Sequence, residues 1–368
     1  MIFTLALVYV TSFVLRAWLA IRYAASLPQS PQRALPANSL TIAQAILSGD
    51  PLLESRLAAN LSALAGQKFL WLIDEDDEEA RRIVSAIQTE NVEVIRCAPC
   101  PDATNPKLWK LQRATELTRT PFFCVLDDDT TLSPESAAIL VEAAERSTVA
   151  AGLPCYLDGG GLASGLLAQF VNNNSAFTYL GTSCLLPPFT LNGMGYVMKR
   201  EELLGIGRFI PIMNELTDDL ALATLVLKQG GTIHQAKAPL QVCTGVRDLQ
   251  HYMQLMHRWY VFTFLLLKRQ SLPVQILIFT LHGLPSSLLI VLFVLHDMRV
   301  MGVVLVLRYL ILTSIQKRFF GVRLHRPLLS VVSELMQPVH LVHALVVRTI
   351  RWRTRLYKVR DTNKFHEV

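Results

Sequence analysis

Phe122 to Thr131 reads FFCVLDDDTT, an apolar run that ends in three consecutive aspartates, Asp127, Asp128 and Asp129. A short apolar run bounded by polar residues predicts a buried strand. The alternate carboxylates at its exit, Asp127 and Asp129, can both turn toward one divalent cation. Oxygen ligands of this kind suit Mg²⁺ or Mn²⁺, and a cation so held can neutralise a diphosphate as it departs.

Other residues could share such chemistry. Asp74-Glu75-Asp76-Asp77 ends a second apolar run, where carboxylates can hold a ribose or a base, and Asn105-Pro106-Lys107 follows with a lysine able to meet a phosphate. Thr217-Asp218-Asp219 opens a helix-like stretch, so Thr217 or Asp218 reads first as a helix cap, while a carboxylate there could also deprotonate an acceptor hydroxyl. The loop Pro187 to Gly195 (PPFTLNGMG) is apolar and glycine-bearing, open to a close approach by a lipid. His257-Arg258-Trp259 precedes a long apolar segment; arginine offers a rigid fork of donors to a phosphate and tryptophan a stacking or interfacial face. Taken singly, each of these groups also reads as surface decoration, a cap or a membrane-interface pair. The triplet itself fits a second pattern, DxDxT, found in haloacid-dehalogenase-type phosphatases, with Asp127 as nucleophile and Asp129 as acid.

The elements that must position these residues are legible from periodicity. Lys68 to Ile73 and Pro121 to Leu126 read as strands, Glu78 to Gln88 and Pro134 to Arg146 as helices. Alternation of this kind over about residues 38 to 260 predicts a largely parallel sheet with helices on both faces, and ligands in such sheets bind at the carboxyl ends of strands, where Asp74 and Asp127 fall. On either side the chain is greasier. Residues 2 to 20 are apolar but for Arg16, which can snorkel to an interface. No clear small-residue cleavage site follows, which favours a retained anchor over a signal peptide. Residues 272 to 295 read as a span, 300 to 315 as a shorter run weakened by Arg308, and 327 to 350, with Glu334, Pro338, His340 and His343, as a spanning or interfacial segment.

The resulting division is an amino-terminal anchor at 1–22, a catalytic domain at 36–262, a membrane hairpin with a third segment at 270–350, and a basic tail at 351–368. Composition agrees: 51% of the 368 residues are hydrophobic and 17% charged, with a net charge of +6 and a mean hydropathy of +0.35. Lysine and arginine crowd beside the apolar segments (Gln316-Lys317-Arg318, Arg323, Arg326, Arg351 to Arg355), as cytoplasmic-side bias and anionic headgroups require, so nucleic acid is not the expected partner. The same bias puts the catalytic domain in the cytosol, on a bacterial inner membrane or a Golgi-type membrane. Six scattered cysteines, with a single CxxC at Cys97 and Cys100, predict reduced thiols and no zinc site.

The order of the groups, Asp74 to Asp77, Asn105-Pro106-Lys107, Asp127 to Asp129, Gly181-Thr182-Ser183 with Pro187 to Met194, Asp218-Asp219, Arg258-Trp259 and the tail Ile350 to Tyr357, resembles the family 2/21-type inverting membrane glycosyltransferases, closest to the ceramide glucosyltransferases. The resemblance implies an α/β GT-A (nucleotide-diphospho-sugar transferase) Rossmann-like fold with one amino-terminal and two to three carboxy-terminal membrane segments. It also implies a UDP-sugar donor, Mg²⁺ or Mn²⁺, and transfer with inversion to the hydroxyl of a ceramide-like membrane lipid, with no obligate protein partner. By position, Asp77 or Asp74 holds the uridine end with Lys107 assisting, Asp127 and Asp129 manage metal and diphosphate, Asp219 is the catalytic base, and Arg258 and Trp259 close over diphosphate and acceptor. Two departures stand out. The family's Q/R-x-x-R-W has Leu255 at its first position here, with Gln254 one residue earlier, and the usual Glu-Asp is Asp218-Asp219. A processive or polyprenyl-phosphate family 2 enzyme is the alternative within glycosyl transfer.

Overall fold

A computed structural model describes residues 1–321, 324–352, 355–361 and 364–367. Arg323 and Arg353, among the basic residues noted above, lie outside the described residues. The chain forms two compact units, one of residues 27–154 and 187–245, the other of residues 1–26, 155–186 and 246–368.

The first unit is built on strands β1 (Leu40–Ala45), β2 (Lys68–Asp74), β3 (Val92–Cys97), β4 (Phe122–Leu126), β5 (Thr130–Leu132), β6 (Val149–Tyr156, whose last two residues fall in the second unit), β7 (Gly195–Lys199) and β8 (Ile233–Val242), in the spatial order β3-β2-β1-β4-β7-β6-β8-β5. Side chains alternate across β2: Phe69, Trp71 and Ile73 enter one core layer, Leu70 and Leu72 the other. In β4, Cys124 and Leu126 face the first layer and Phe123 and Val125 the second. Both faces are buried, which is why these strands read as unbroken apolar runs. The expected strands and helices form, with helices at Glu78–Ile87 and Pro134–Ala144. The sheet itself is less parallel than expected. β1 pairs parallel with β2 and β4, and β2 with β3, but β7 runs antiparallel to β4 and β6, and β5 antiparallel to β8. β6 and β7 are joined by a long connection through the helix Gly161–Ser175, after which β7 enters antiparallel to both β4 and β6.

The second unit is mainly helical. Among the described residues, four helices are long and apolar enough to cross a membrane: Ile2–Ala25, Leu272–Leu295, Met298–Phe320 and Pro327–Val346. Many of their large apolar side chains are exposed, Val294 and Leu310 among them, as lipid-facing residues would be. The chain is an integral membrane protein. Asp297 caps Met298–Phe320 by accepting from the N–H groups of Arg299 (3.1 Å) and Val300 (3.2 Å), and His296 before it takes a left-handed φ of 57°, which turns the chain between two of these helices. Two expectations change here. Arg16 does not snorkel: it is 3% exposed, with its guanidinium over the rings of Phe13 (4.1 Å) and Phe177 (4.9 Å). Glu334, which argued against a third span, is neutralised internally by Arg308, whose Nε lies 2.7 Å from its carboxylate. The segment expected as a tail contributes strands β9 (Thr349–Trp352), β10 (Arg355–Asp361) and β11 (Lys364–Glu367), which pair antiparallel in the order β11-β10-β9. All six cysteines are free thiols.

Gly152 in β6 has no room for a side chain. A Cβ there would come within 2.6 Å of Leu240 Cγ on β8, and Leu240 is fully buried with nowhere to move. Gly152→Ala is expected to destabilise the fold by about 1–3 kcal/mol, read as a lowered thermal unfolding midpoint in detergent, whereas Gly302→Ala, which meets open space, should leave the midpoint in place or raise it.

Candidate active site

Asn105 organises the site. Its side-chain oxygen accepts from the N–H groups of Lys107 (3.0 Å) and Leu108 (3.2 Å), capping the helix Pro106–Leu117, with proline in the first turn where a missing N–H costs nothing. Its amide donates to the carbonyls of Glu215 (3.0 Å) and Leu216 (3.2 Å), and its backbone N–H to that of Met213 (2.8 Å). Those bonds tie the approach to the helix Asp218–Lys228 to the start of Pro106–Leu117. Lys107, projecting from that start, places its ammonium 2.7 Å from Asp127 Oδ1 and 2.7 Å from Asp218 Oδ2, and donates to the carbonyl of Gly193 at 3.2 Å.

The strand ends supply the remainder. Asp127 follows β4, its N–H bonded to the carbonyl of Met194 (2.9 Å). Asp128 turns the other way, accepting from Leu47 N–H (2.9 Å), and so anchors the loop after β1. Asp129 accepts from the hydroxyls of Thr244 (2.7 Å) and Thr130 (3.1 Å). Asp218 and Asp219 occupy the first turn of their helix, where the exposed N–H groups favour negative charge. Thr217 stands at the cap position, but its hydroxyl is buried without a hydrogen-bond partner; the expected side-chain cap is absent. Asp219 instead accepts from Leu220 N–H at 2.7 Å. Gly193 leaves the space before the Asp219 carboxylate open, since a Cβ there would touch it at 3.5 Å.

Burial first, and neighbouring charges after it, set the proton affinities. Burial, and then Asp218, pushes Asp219 up to about 7. Burial raises Asp127 to about 6; Lys107 draws it down while Asp129 and Asp218 push it up. Burial and Asp128 raise Asp129 to about 6 against the pull of the two threonine hydroxyls. Burial opposes the charge of Lys107, but Asp127 and Asp218 outweigh it and hold the ammonium well above the ordinary lysine range. Tyr196 on β7 buries a phenol in the same field, first by burial and then by Asp218 held firmly protonated, and its hydroxyl has no partner.

Of the residues singled out in the sequence, Lys107, Asp127, Asp218 and Asp219 converge, with Asp129 two residues along from Asp127. Asp74 ends β2 but meets a different lysine: Lys110, 2% exposed, donates to Asp74 Oδ2 (2.7 Å) and to the carbonyl of Ile46 (2.9 Å). Lys107 is thus engaged at Asp127 and Asp218, while Lys110 is the lysine paired with Asp74. Asp77 spends both oxygens on backbone, capping Glu78–Ile87 through Ala80 N–H (2.9 Å) and holding Ser48 N–H (3.0 Å); despite burial, these bonds keep its carboxyl below the usual range. Arg258 and Trp259 belong to the second unit, on the helix Leu249–Lys268, where Trp259 packs edge-on to Tyr156 (6.1 Å) and against Phe170 (6.3 Å). Lys110 and Thr244 escaped the sequence reading. A lysine one turn beyond Lys107, amid the apolar positions of that helix, was the available signal for Lys110; Thr244 carried none.

No group of three or more histidine, cysteine, aspartate or glutamate side chains suited to a metal occurs among the described residues. The comparisons with known proteins decide the class. The family model for glycosyl transferase family 21 matches residues 1–365. The chain belongs to that family. This sets aside the phosphatase reading of the aspartate triplet. The glycosyltransferase also resembles, at 12% identity and a TM-score of 0.53, the solved structure of the mannosyltransferase PcManGT from Pyrobaculum calidifontis in complex with GDP-Man and Mn2+, over 94% of this chain and 98% of that one, which supports the GT-A fold. No curated protein matches it.

The raised acids give stability a definite slope. Each of Asp127, Asp129 and Asp219 binds its proton more tightly folded than unfolded, where the ordinary value is about 3.9. The resulting stabilisation is complete below about pH 4 and is lost as pH rises through about 6 to 7. Asp219→Asn is therefore expected to raise the thermal midpoint, and by more at pH 8 than at pH 5. Lys107→Met should lower it, by roughly 2–3 kcal/mol, less than the ~3–5 of a fully buried broken pair because Lys107 and Asp127 keep 17% and 30% exposure. Thermal scans of both variants at the two pH values check these signs.

Proposed function

We propose that this glycosyltransferase moves a sugar from a UDP-sugar, glucose first among the candidates, to the hydroxyl of a membrane lipid, ceramide first among the acceptors, with inversion, and that Asp219 is the base. The observation that carries the reading is the Lys107-centred cluster: one ammonium balances Asp127 and Asp218, and leaves beside them a carboxylate, Asp219, poised to accept a proton near neutral pH. Asp219 takes the proton of the acceptor hydroxyl, the oxygen bonds to the anomeric carbon, and the bond from that carbon to the diphosphate oxygen breaks with its electron pair leaving on UDP. One base suffices, because no protein nucleophile intervenes.

A divalent cation at the aspartate triplet is part of this proposal. Asp127 and Asp129, whose oxygens accept from Lys107, Thr244 and Thr130, would have to turn from these partners to hold Mg²⁺ or Mn²⁺, with substrate phosphates and water completing the shell. When bound, the cation offsets the charge of the departing diphosphate, as the Mn2+ named with PcManGT suggests by analogy. Asp74, fixed by Lys110, is the better candidate for the nucleotide's ribose than Asp77, whose oxygens are committed to backbone. The four membrane-length helices among the described residues support a lipid acceptor, and the basic residues that flank them support a cytosolic catalytic side.

Incubating the purified protein with a panel of UDP-sugars and GDP-mannose, Mn²⁺, and ceramide, diacylglycerol or sterol should yield one new glycolipid detectable by mass. Asp219→Asn should reduce its formation by about 10²–10⁴-fold, and chelation should stop it until Mn²⁺ is restored. In the parent, kcat/KM should rise with pH through about 7 as Asp219 loses its proton. Failure to consume any UDP-sugar, or a variant as fast as the parent, sinks the proposal.

A further inference from the structure

Lys110 is a cation in an apolar setting. It is 2% exposed, among the buried positions Leu108, Leu111 and Ala114 of the helix Pro106–Leu117. Burying an ammonium costs free energy that a methionine of similar volume would not, so the lysine needs a reason beyond packing. Its partner is not buried to match it. Asp74 keeps 30% exposure, enough for water to serve that carboxylate with no lysine beneath it.

The pair therefore fixes a direction more than it neutralises a buried acid. Lys110 donates to Asp74 Oδ2 (2.7 Å) and to the carbonyl of Ile46 (2.9 Å), and so joins the exits of β1 and β2, neighbouring parallel strands. Carboxylates hold the next two residues of the β1 exit: Asp128 takes the N–H of Leu47 (2.9 Å) and Asp77 that of Ser48 (3.0 Å). That exit is thus tied at three successive residues. Of the Asp74 carboxylate only Oδ2 is engaged, and Oδ1 has no protein partner among the described residues. A fixed acceptor at the carboxyl end of a parallel strand is where such sheets meet a ligand. Ribose offers it hydroxyl donors; an ionised diphosphate offers none. Glu75 and Asp76 beside it are exposed, and the cation offsets part of a field that would otherwise repel a nucleotide's phosphates.

We propose that Lys110 is a positioning residue of the donor site: through Oδ2 it holds Asp74 so that Oδ1 is presented to a ribose hydroxyl of the nucleotide, and it locks the β1 exit alongside. Lys110 itself touches no substrate. The proposal rests on the reading of Asp74 as the ribose ligand.

The full-length protein in detergent, with Mn²⁺, is titrated calorimetrically with UDP and with inorganic pyrophosphate, which has the diphosphate and lacks the ribose. Lys110→Met should weaken UDP binding about tenfold and leave pyrophosphate as in the parent. Asp74→Asn should act alike, because its one oxygen stays with Lys110 and an amide nitrogen then faces the hydroxyl. The double variant should bind UDP no more weakly than Asp74→Asn alone, since the lysine acts only through that carboxylate. In turnover the loss should fall on the donor KM rather than on kcat. Should Lys110→Met not fold, Lys110→Gln, which keeps a neutral donor, must show the same selective loss of UDP. Weakening of UDP by Asp74→Asn but not by the Lys110 variants overturns this proposal and leaves Asp74 as a ribose ligand. Equal loss of UDP and pyrophosphate, or losses that add in the double variant, would show a lysine that only supports the fold, and overturn it too. UDP binding unchanged in Asp74→Asn removes the ribose reading, and the proposal with it.

Discussion

One ammonium group makes the acidic site possible. Asp127, Asp218 and Asp219 come from a strand end and from a helix start that lie about ninety residues apart in the chain, and like charges so close would drive the elements apart or force protonation. Lys107 stands between them with two short ion pairs and a carbonyl contact. Its position is fixed by Asn105, which caps the lysine's helix with its oxygen and holds the approach to Asp218 with its amide. A neutral side chain three atoms long thus sets the geometry of a cluster in which it takes no charge.

The elements that carry these residues were legible because they obey short-range rules. The runs at Lys68 and Phe122 are buried on both faces and read as strands, and Asp77 and Asn105 sit where caps belong. The choice between two lysines was not legible. Lys107 and Lys110 are three residues apart on one helix, and only the folded chain shows the first turned to Asp127 and the second to Asp74. Nor was the pairing of the later strands, since β7 comes back to β4 after a long excursion and nothing within either strand encodes that direction. Thr244 meets Asp129 across more than a hundred residues and belongs to no motif.

Charge in the helical unit misled in an instructive way. Arginine and glutamate in an apolar segment argue against a span when each is judged alone, because each would then face lipid. Arg308 and Glu334 answer one another across two helices, and the polar groups around them, Tyr9, Ser330, Gln316 and Asn173, form a continuous hydrogen-bonded set. Directional bonds of this kind can select one arrangement of helices, where apolar packing alone would tolerate several.

The route of the chain carries a further consequence. The sheet unit is interrupted after residue 154 and resumes at 187, with residues 155–186 given to the helical unit in between. β7, which joins the parallel strands to β6, is therefore synthesised only after that excursion, and β8, which holds β5, later still. On the ribosome, β1 to β4 emerge as a partial sheet whose β4 edge has no neighbour until residue 195 is made, which exposes backbone donors and acceptors to pairing with other chains. Assembly of the acidic cluster is delayed in the same way: Asp127 is made early, Asp218 late, and Lys107 waits for its second carboxylate until the excursion is complete.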